Sequence, residues 1–303
     1  MESTTQNNNL HDRNVPLEMT PDEFRKVGHQ LIDRIAEFIA VLPQRPVTLG
    51  EPVQSIRSAL GNTPMPNKGT IPDQLLKETT DLMFDHSLFN GHPKFWGYIT
   101  SSASPIGALG DLLAAAVNPN VGAWALSPMA TEIEAQTIRW IADLIGYPDT
   151  CGGLLVSGGN MANFVGFLAA RKLKATWNIR TEGLASSNKR LIVYGSKETH
   201  TWIEKAVDLF GLGTNAIRWI NINKNQQIDL DALESQIVSD RKKGNLPFMV
   251  VGTAGTVSTG AVDPLPEIAS ICRTYNLWFH VDGAYGAPAA ALPEAPSQLQ
   301  RTG

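Results

Sequence analysis

The sequence predicts an α/β protein with a mostly parallel sheet, preceded by a helical segment. Two observations carry this. After Pro148, short apolar runs alternate with helical stretches, the pattern of strand–helix units. Before that point, apolar residues recur at helical spacing. The 303 residues are 43% hydrophobic and 18% charged, enough apolar material for a substantial core.

Residues 1–19 are polar and are expected to form a disordered tail. Thr20-Pro21-Asp22-Glu23 opens the first helix, with Thr20 as cap, Pro21 in the first turn and Glu23 completing a capping box. Phe24, Val27, Leu31, Ile35 and Ile39 then follow helical spacing until Pro43. Residues 44–70 hold four prolines and three glycines and read as a connector. Further helices are expected over Pro72 to Phe84 and Ile106 to Val117. Ser127-Pro128 starts a longer helix, in which Ile133, Ile138, Trp140, Ile141 and Leu144 supply a buried face until Gly146. The expected strands are 153–156, 190–194, 217–220, 247–252 and 277–281, and the helices between them cover roughly 160–175, 200–210, 229–240 and 264–275. The implied division is a tail (1–19), a helical segment (20–125) and a sheet domain (126–303).

Net charge is −4 with no long basic run, so neither nucleic acid nor an anionic membrane is an expected partner. The N-terminus lacks an apolar signal core, and no apolar run is long enough to span a bilayer. Two cysteines make no disulfide framework. A cytoplasmic location is expected.

Ligands of parallel sheets sit beyond the carboxyl ends of strands. Three stretches are expected to converge there. Ser157-Gly158-Gly159-Asn160 leads into a helix whose free N–H groups suit a phosphate, although the stretch alone is also an ordinary turn. Thr253 follows the run 247–252, where its hydroxyl can position a ligand's polar edge or serve the turn. Asp282 ends the run Leu277-Trp278-Phe279-His280-Val281. A carboxylate among apolar residues needs a partner. A protonated ring nitrogen is one candidate, and such a ring is the electron sink of pyridoxal phosphate. A helix cap or a metal ligand are the alternatives. His200, just past another strand, can stack on a planar ring or merely start a helix.

The ordered set HPKFWGY (92–98), SGGNMAN (157–163), His200, TAGTVSTGAVD (253–263) and HVDGAYG (280–286) resembles the pyridoxal-phosphate-dependent group II amino-acid decarboxylases. These are the relatives of aromatic-L-amino-acid, histidine and glutamate decarboxylase. The resemblance runs from about Met19 to about Pro296. It implies the aspartate-aminotransferase fold, an intertwined homodimer whose N-terminal helices wrap the partner, and decarboxylation of an L-amino acid. It further implies that Gly159 and Asn160 hold the phosphate. His200 stacks on the pyridine ring, Ala284 packs on its other face, Thr253 touches its polar edge and Asp282 pairs with the ring nitrogen. Tyr98, Ile99 and Gly122 line the substrate pocket. Ile99 and Gly122 replace bulkier aromatics and leave the choice of substrate open.

Enzymes of this kind hold the cofactor through a lysine amine, which the resemblance places after the aspartate. The last lysine here is Lys243, and Gly303 follows 21 residues after Asp282. The expectation is a C-terminally truncated member without the small C-terminal domain, inactive by itself. The rivals are a non-catalytic partner of an intact paralogue, or another pyridoxal enzyme such as an aminotransferase or a cysteine desulfurase.

Overall fold

A computed structural model describes residues 18–98 and 100–299. Most of the expected tail, residues 1–17, lies outside the described residues. The chain divides into two compact units, Met1–Leu113 and Ala114–Gly303.

The first unit holds α1 (Pro21–Val41), α2 (Val53–Leu60), α3 (Pro72–Asp85) and most of α4 (Pro105–Val117). The capping box forms as read. Thr20 Oγ1 accepts the Glu23 N–H at 3.2 Å, and Glu23 Oε2 accepts the Thr20 N–H at 2.9 Å. Helices α1 and α3 pack through Phe38 stacked on Phe84, with ring centroids 4.3 Å apart. Arg34 adds a hydrogen bond to Thr80 Oγ1 at 2.8 Å and an ion pair with Asp81. The HPKFWGY segment is pinned by buried His92, which bonds the Arg45 carbonyl at 2.9 Å through Nε2 and accepts the Lys94 N–H at 3.0 Å through Nδ1.

The second unit begins with α5 (Pro128–Ile145) and α6 (Gly159–Lys174). After them come α7 (Ile179–Glu182), β1 (Leu191–Ser196), α8 (Trp202–Leu209) and β2 (Ile217–Ile220). It continues with α9 (Leu230–Lys242), β3 (Leu246–Thr253), α10 (Leu265–Thr274) and β4 (Trp278–Asp282). The sheet order is β2-β1-β3-β4, and all pairings are parallel.

Alternation explains how helices cover both faces. Leu191, Val193, Met249 and Val251 pack with Phe167 of α6 and with Trp202 and Ile203 of α8. Ile192, Tyr194 and Val250 face Leu233 and Ile237 of α9 and Ile268 and Cys272 of α10. Parallel pairing brings the ends Ser196, Ile220, Thr253 and Asp282 to one edge of the sheet.

Three expectations are corrected. Residues 153–156 form no strand; the Leu155 N–H donates to Glu134 Oε1 of α5 at 2.9 Å instead of to a ladder. The connector 44–70 contains α2. Helix α5 does not bury the stripe expected of it: Ile133, Trp140, Ile141 and Leu144 are exposed, and Ala142 is its buried residue.

Candidate active site

Asp282 ends β4 and lies opposite Thr253 in the parallel register with β3. It is almost fully buried. Its Oδ2 accepts the indole N–H of Trp202 at 2.8 Å and the carboxamide N–H of Asn163 at 3.2 Å. Its Oδ1 accepts a longer bond, 3.3 Å, from the Ala284 N–H. All three donors are neutral. None of the ion pairs among the described residues includes Asp282. A buried carboxylate with only neutral donors is suited to a cationic ligand.

His280 points from the same strand toward α6, and its Nε2 lies 2.6 Å from Asn163 Oδ1. Burial pushes its pKa down to about 4, against a smaller opposing pull from Asp282. At neutral pH the imidazole is therefore uncharged and forms no ion pair with Asp282.

Helix α6 starts at the glycine turn. Gly158 is its N-cap at φ +105°, a conformation that favours glycine, and no side chain caps the helix. Residues 157–160 are exposed, so the first N–H groups of a 16-residue helix face outward. Asn163, one turn further along α6, is the residue that touches Asp282. Asn163 thus stands about 6 Å along the helix axis from its start, at about 1.5 Å per residue.

Thr253 contributes a buried Oγ1 with no hydrogen-bond partner among the described residues. Its backbone is held on both sides: Asp263 Oδ2 accepts the Thr253 N–H at 2.8 Å, and the Asp263 N–H donates to the Thr253 carbonyl at 2.9 Å. Burial raises the Asp263 pKa, opposed by the N–H groups of Ile228 and Thr253.

The structure brings Gly159, Asn160, Thr253, Asp282 and Ala284 into the region where α6 begins and β3 and β4 end. His200 lies between β1 and α8, exposed, with Nδ1 accepting the Trp202 N–H at 3.3 Å. Gly122 lies in a turn and donates its N–H to Asn120 Oδ1 at 2.9 Å. Tyr98 belongs to the other unit, exposed and at φ +59°, and Ile99 lies outside the described residues. Sequence reasoning missed Trp202 and Asn163 as partners of Asp282. A signal for Asn163 was present, since it stands four residues after Gly159 and so shares its helix face. No group of three or more potential ligands able to hold a metal ion occurs among the described residues.

An outward helix N-terminus, an unpartnered hydroxyl and a carboxylate without a cation together fit a phosphorylated heteroaromatic cation. Residues 52–301 match the pyridoxal-dependent decarboxylase conserved domain, and the chain belongs to that family. It is 33% identical over 284 residues to an aromatic-L-amino-acid decarboxylase of Bacillus atrophaeus, covering 94% of this chain and 57% of that protein. The structure of Oryza sativa TDC with PLP and tryptamine superposes with a TM-score of 0.84 at 27% identity, over 96% of this chain and 61% of that one. Mouse CSAD gives a TM-score of 0.84 at 24% identity, over 94% of this chain and 60% of that one, and supports the α/β fold alone. The chain therefore spans little more than half the length of the curated relatives it matches.

Proposed function

We propose that the protein serves the pyridoxal-phosphate-dependent decarboxylation of an L-amino acid. The observation that carries this reading is Asp282, a buried carboxylate with three neutral donors, one of them Asn163, which stands one turn along α6 from its exposed start. In this reading the N–H groups at Gly159 and Asn160 hold the phosphate. Asp282 keeps a proton on the ring nitrogen. His200 and Ala284 cover the two ring faces, and Thr253 Oγ1 meets the polar edge. Bound pyridoxal phosphate supplies a protonated ring that takes up the electron pair released when carbon dioxide leaves the substrate. Gly122 receives the substrate side chain. The working form is a cytoplasmic homodimer; free Cys151 and Cys272 suit a reducing compartment, and among the described residues no helix is long and apolar enough to cross a membrane.

A lysine that anchors the cofactor has to reach the edge where β3 and β4 end. Lys243 follows α9 and precedes β3, so it belongs to the opposite edge. The length of β3 separates the two, about 25 Å at strand rise. Lys197 follows Ser196 at the carboxyl end of β1; this reading assigns the anchor to neither lysine, so that residues 1–303 supply the non-covalent platform. Titration of the 303-residue polypeptide with pyridoxal phosphate tests the reading. Saturable binding that Asp282→Asn weakens tenfold or more is expected, with no borohydride-fixed cofactor at the site and no carbon dioxide release. Equal binding by wild type and Asp282→Asn refutes it.

A further inference from the structure

We infer that Trp202 and Asn163 are positioning residues that turn Oδ1 of Asp282 toward the cofactor's ring nitrogen, with His280 holding Asn163 in the orientation this needs. This rests on the pyridoxal-phosphate reading above.

A carboxylate has about four acceptor positions on two equivalent oxygens, and a single bond leaves it free to rotate. Here the two side-chain donors both go to Oδ2, at 2.8 and 3.2 Å. Oδ1 keeps one long backbone bond and the capacity for a stronger donor. The asymmetry is built by residues far apart in sequence. Trp202 is fully buried, and Asp282 is the acceptor its indole N–H requires. The backbone N–H of the same tryptophan donates to His200 Nδ1. One residue thus orients both the carboxylate and the imidazole assigned to the ring face.

The orientation of Asn163 follows from the charge it meets. Its N–H must face the Asp282 carboxylate, so its Oδ1 faces His280, and the His280 tautomer with hydrogen on Nε2 is the one that satisfies it. The His280 ring packs edge-on to Trp202 at 5.4 Å between centroids. Gly166 of α6 leaves the imidazole its space, because a Cβ there would stand 2.7 Å from the ring. Each contact fixes the direction of the carboxylate, and none neutralises it.

Two ligands separate this role from general support of the fold. Pyridoxine 5′-phosphate keeps the phosphate and ring nitrogen but cannot condense with lysines. Its carbocyclic counterpart, with C–H in place of the ring nitrogen, lacks the atom that Asp282 meets. Calorimetric titration of the 303-residue chain with each is expected to give about tenfold weaker binding of the pyridine ligand to Trp202→Phe, the scale of one hydrogen bond to a charged group. Binding of the carbocyclic ligand is expected to change less than twofold. Equal weakening of both ligands means a structural role and overturns the inference, as does no weakening of either. Circular dichroism checks folding, and Asn163→Ala decides by the same comparison if Trp202→Phe does not fold. The function itself fails separately: if wild type and Asp282→Asn bind the pyridine ligand alike, the pyridoxal-phosphate reading falls and this inference with it.

Discussion

His280 makes the acid sensitivity of the site a property of one residue. Its ordinary pKa of 6.5 falls to about 4 in the folded chain because burial disfavours the cation. Between those values the unfolded chain binds more protons than the folded one, so this residue makes stability fall as pH drops from about 6.5 to about 4. Above that window it contributes no penalty, and below it the penalty is complete, on the order of 3 kcal/mol. His280→Gln is expected to flatten this part of the stability–pH curve, measured by urea unfolding at pH 4.5 and 7.5. An unchanged slope would mean that the imidazole is not buried neutral. Gly166 is tied to the same ring, since an added Cβ meets His280 Cε1 and Nδ1 at 2.7 Å. Gly166→Ala is therefore expected to cost about 1–3 kcal/mol, the range for overpacking, with weakened cofactor binding. The double variant with His280→Ala should recover much of that loss. Asp282 was legible in the sequence because a carboxylate stands out in an apolar run. Its donors were not legible. Asn163 is 119 residues away and Trp202 is 80, and only packing of α6 and α8 on the sheet brings them to it.

At the level of elements, the pattern that reads reliably is the one set by local physics. The cap at Thr20, the four sheet strands and the helices between them all follow from periodicity and turn residues. Residues 153–156 show the limit: an apolar run becomes a strand only with a neighbour to pair with, and the Leu155 N–H finds Glu134 instead. The buried polar cluster under β1 and β2 was equally invisible. Asp240 of α9 is fully buried and accepts from Arg218, Gln236, Asn245 and the Tyr194 hydroxyl. Burial pushes its carboxyl up, but bonds from Arg218, Gln236 and Asn245 outweigh this and hold it below the usual range. Asp240→Ala strands the half-buried Arg218 cation and is expected to cost about 3–5 kcal/mol, read as a shift in the urea midpoint. Because the cluster lies on the α9 side, it leaves the α6 start and Asp282 untouched. Cofactor affinity of the variant, measured where it remains folded, should stay within twofold of wild type.

For the whole molecule, the α/β class was readable because parallel strand–helix units allow few arrangements. What the local pattern did not reveal is how much apolar surface the folded chain leaves uncovered. Helix α4 has no buried residue. Ile106, Leu109, Leu113 and Val117 recur at helical spacing, and each is at least half exposed. A contiguous apolar stripe of this kind marks an interaction surface rather than a solvated face. We assign this stripe to the contact of the proposed homodimer, one copy's α4 against the other copy. Leu113→Glu places a charge in the middle of that stripe without touching any bond to Asp282, and burying an unpaired charge at an interface is strongly unfavourable. Sedimentation velocity at micromolar concentration is expected to show a dimer for the wild-type chain and a dissociation constant at least a hundredfold higher for Leu113→Glu. A wild-type monomer at that concentration would remove the homodimer from the proposal, and an equally tight variant dimer would move the interface away from α4.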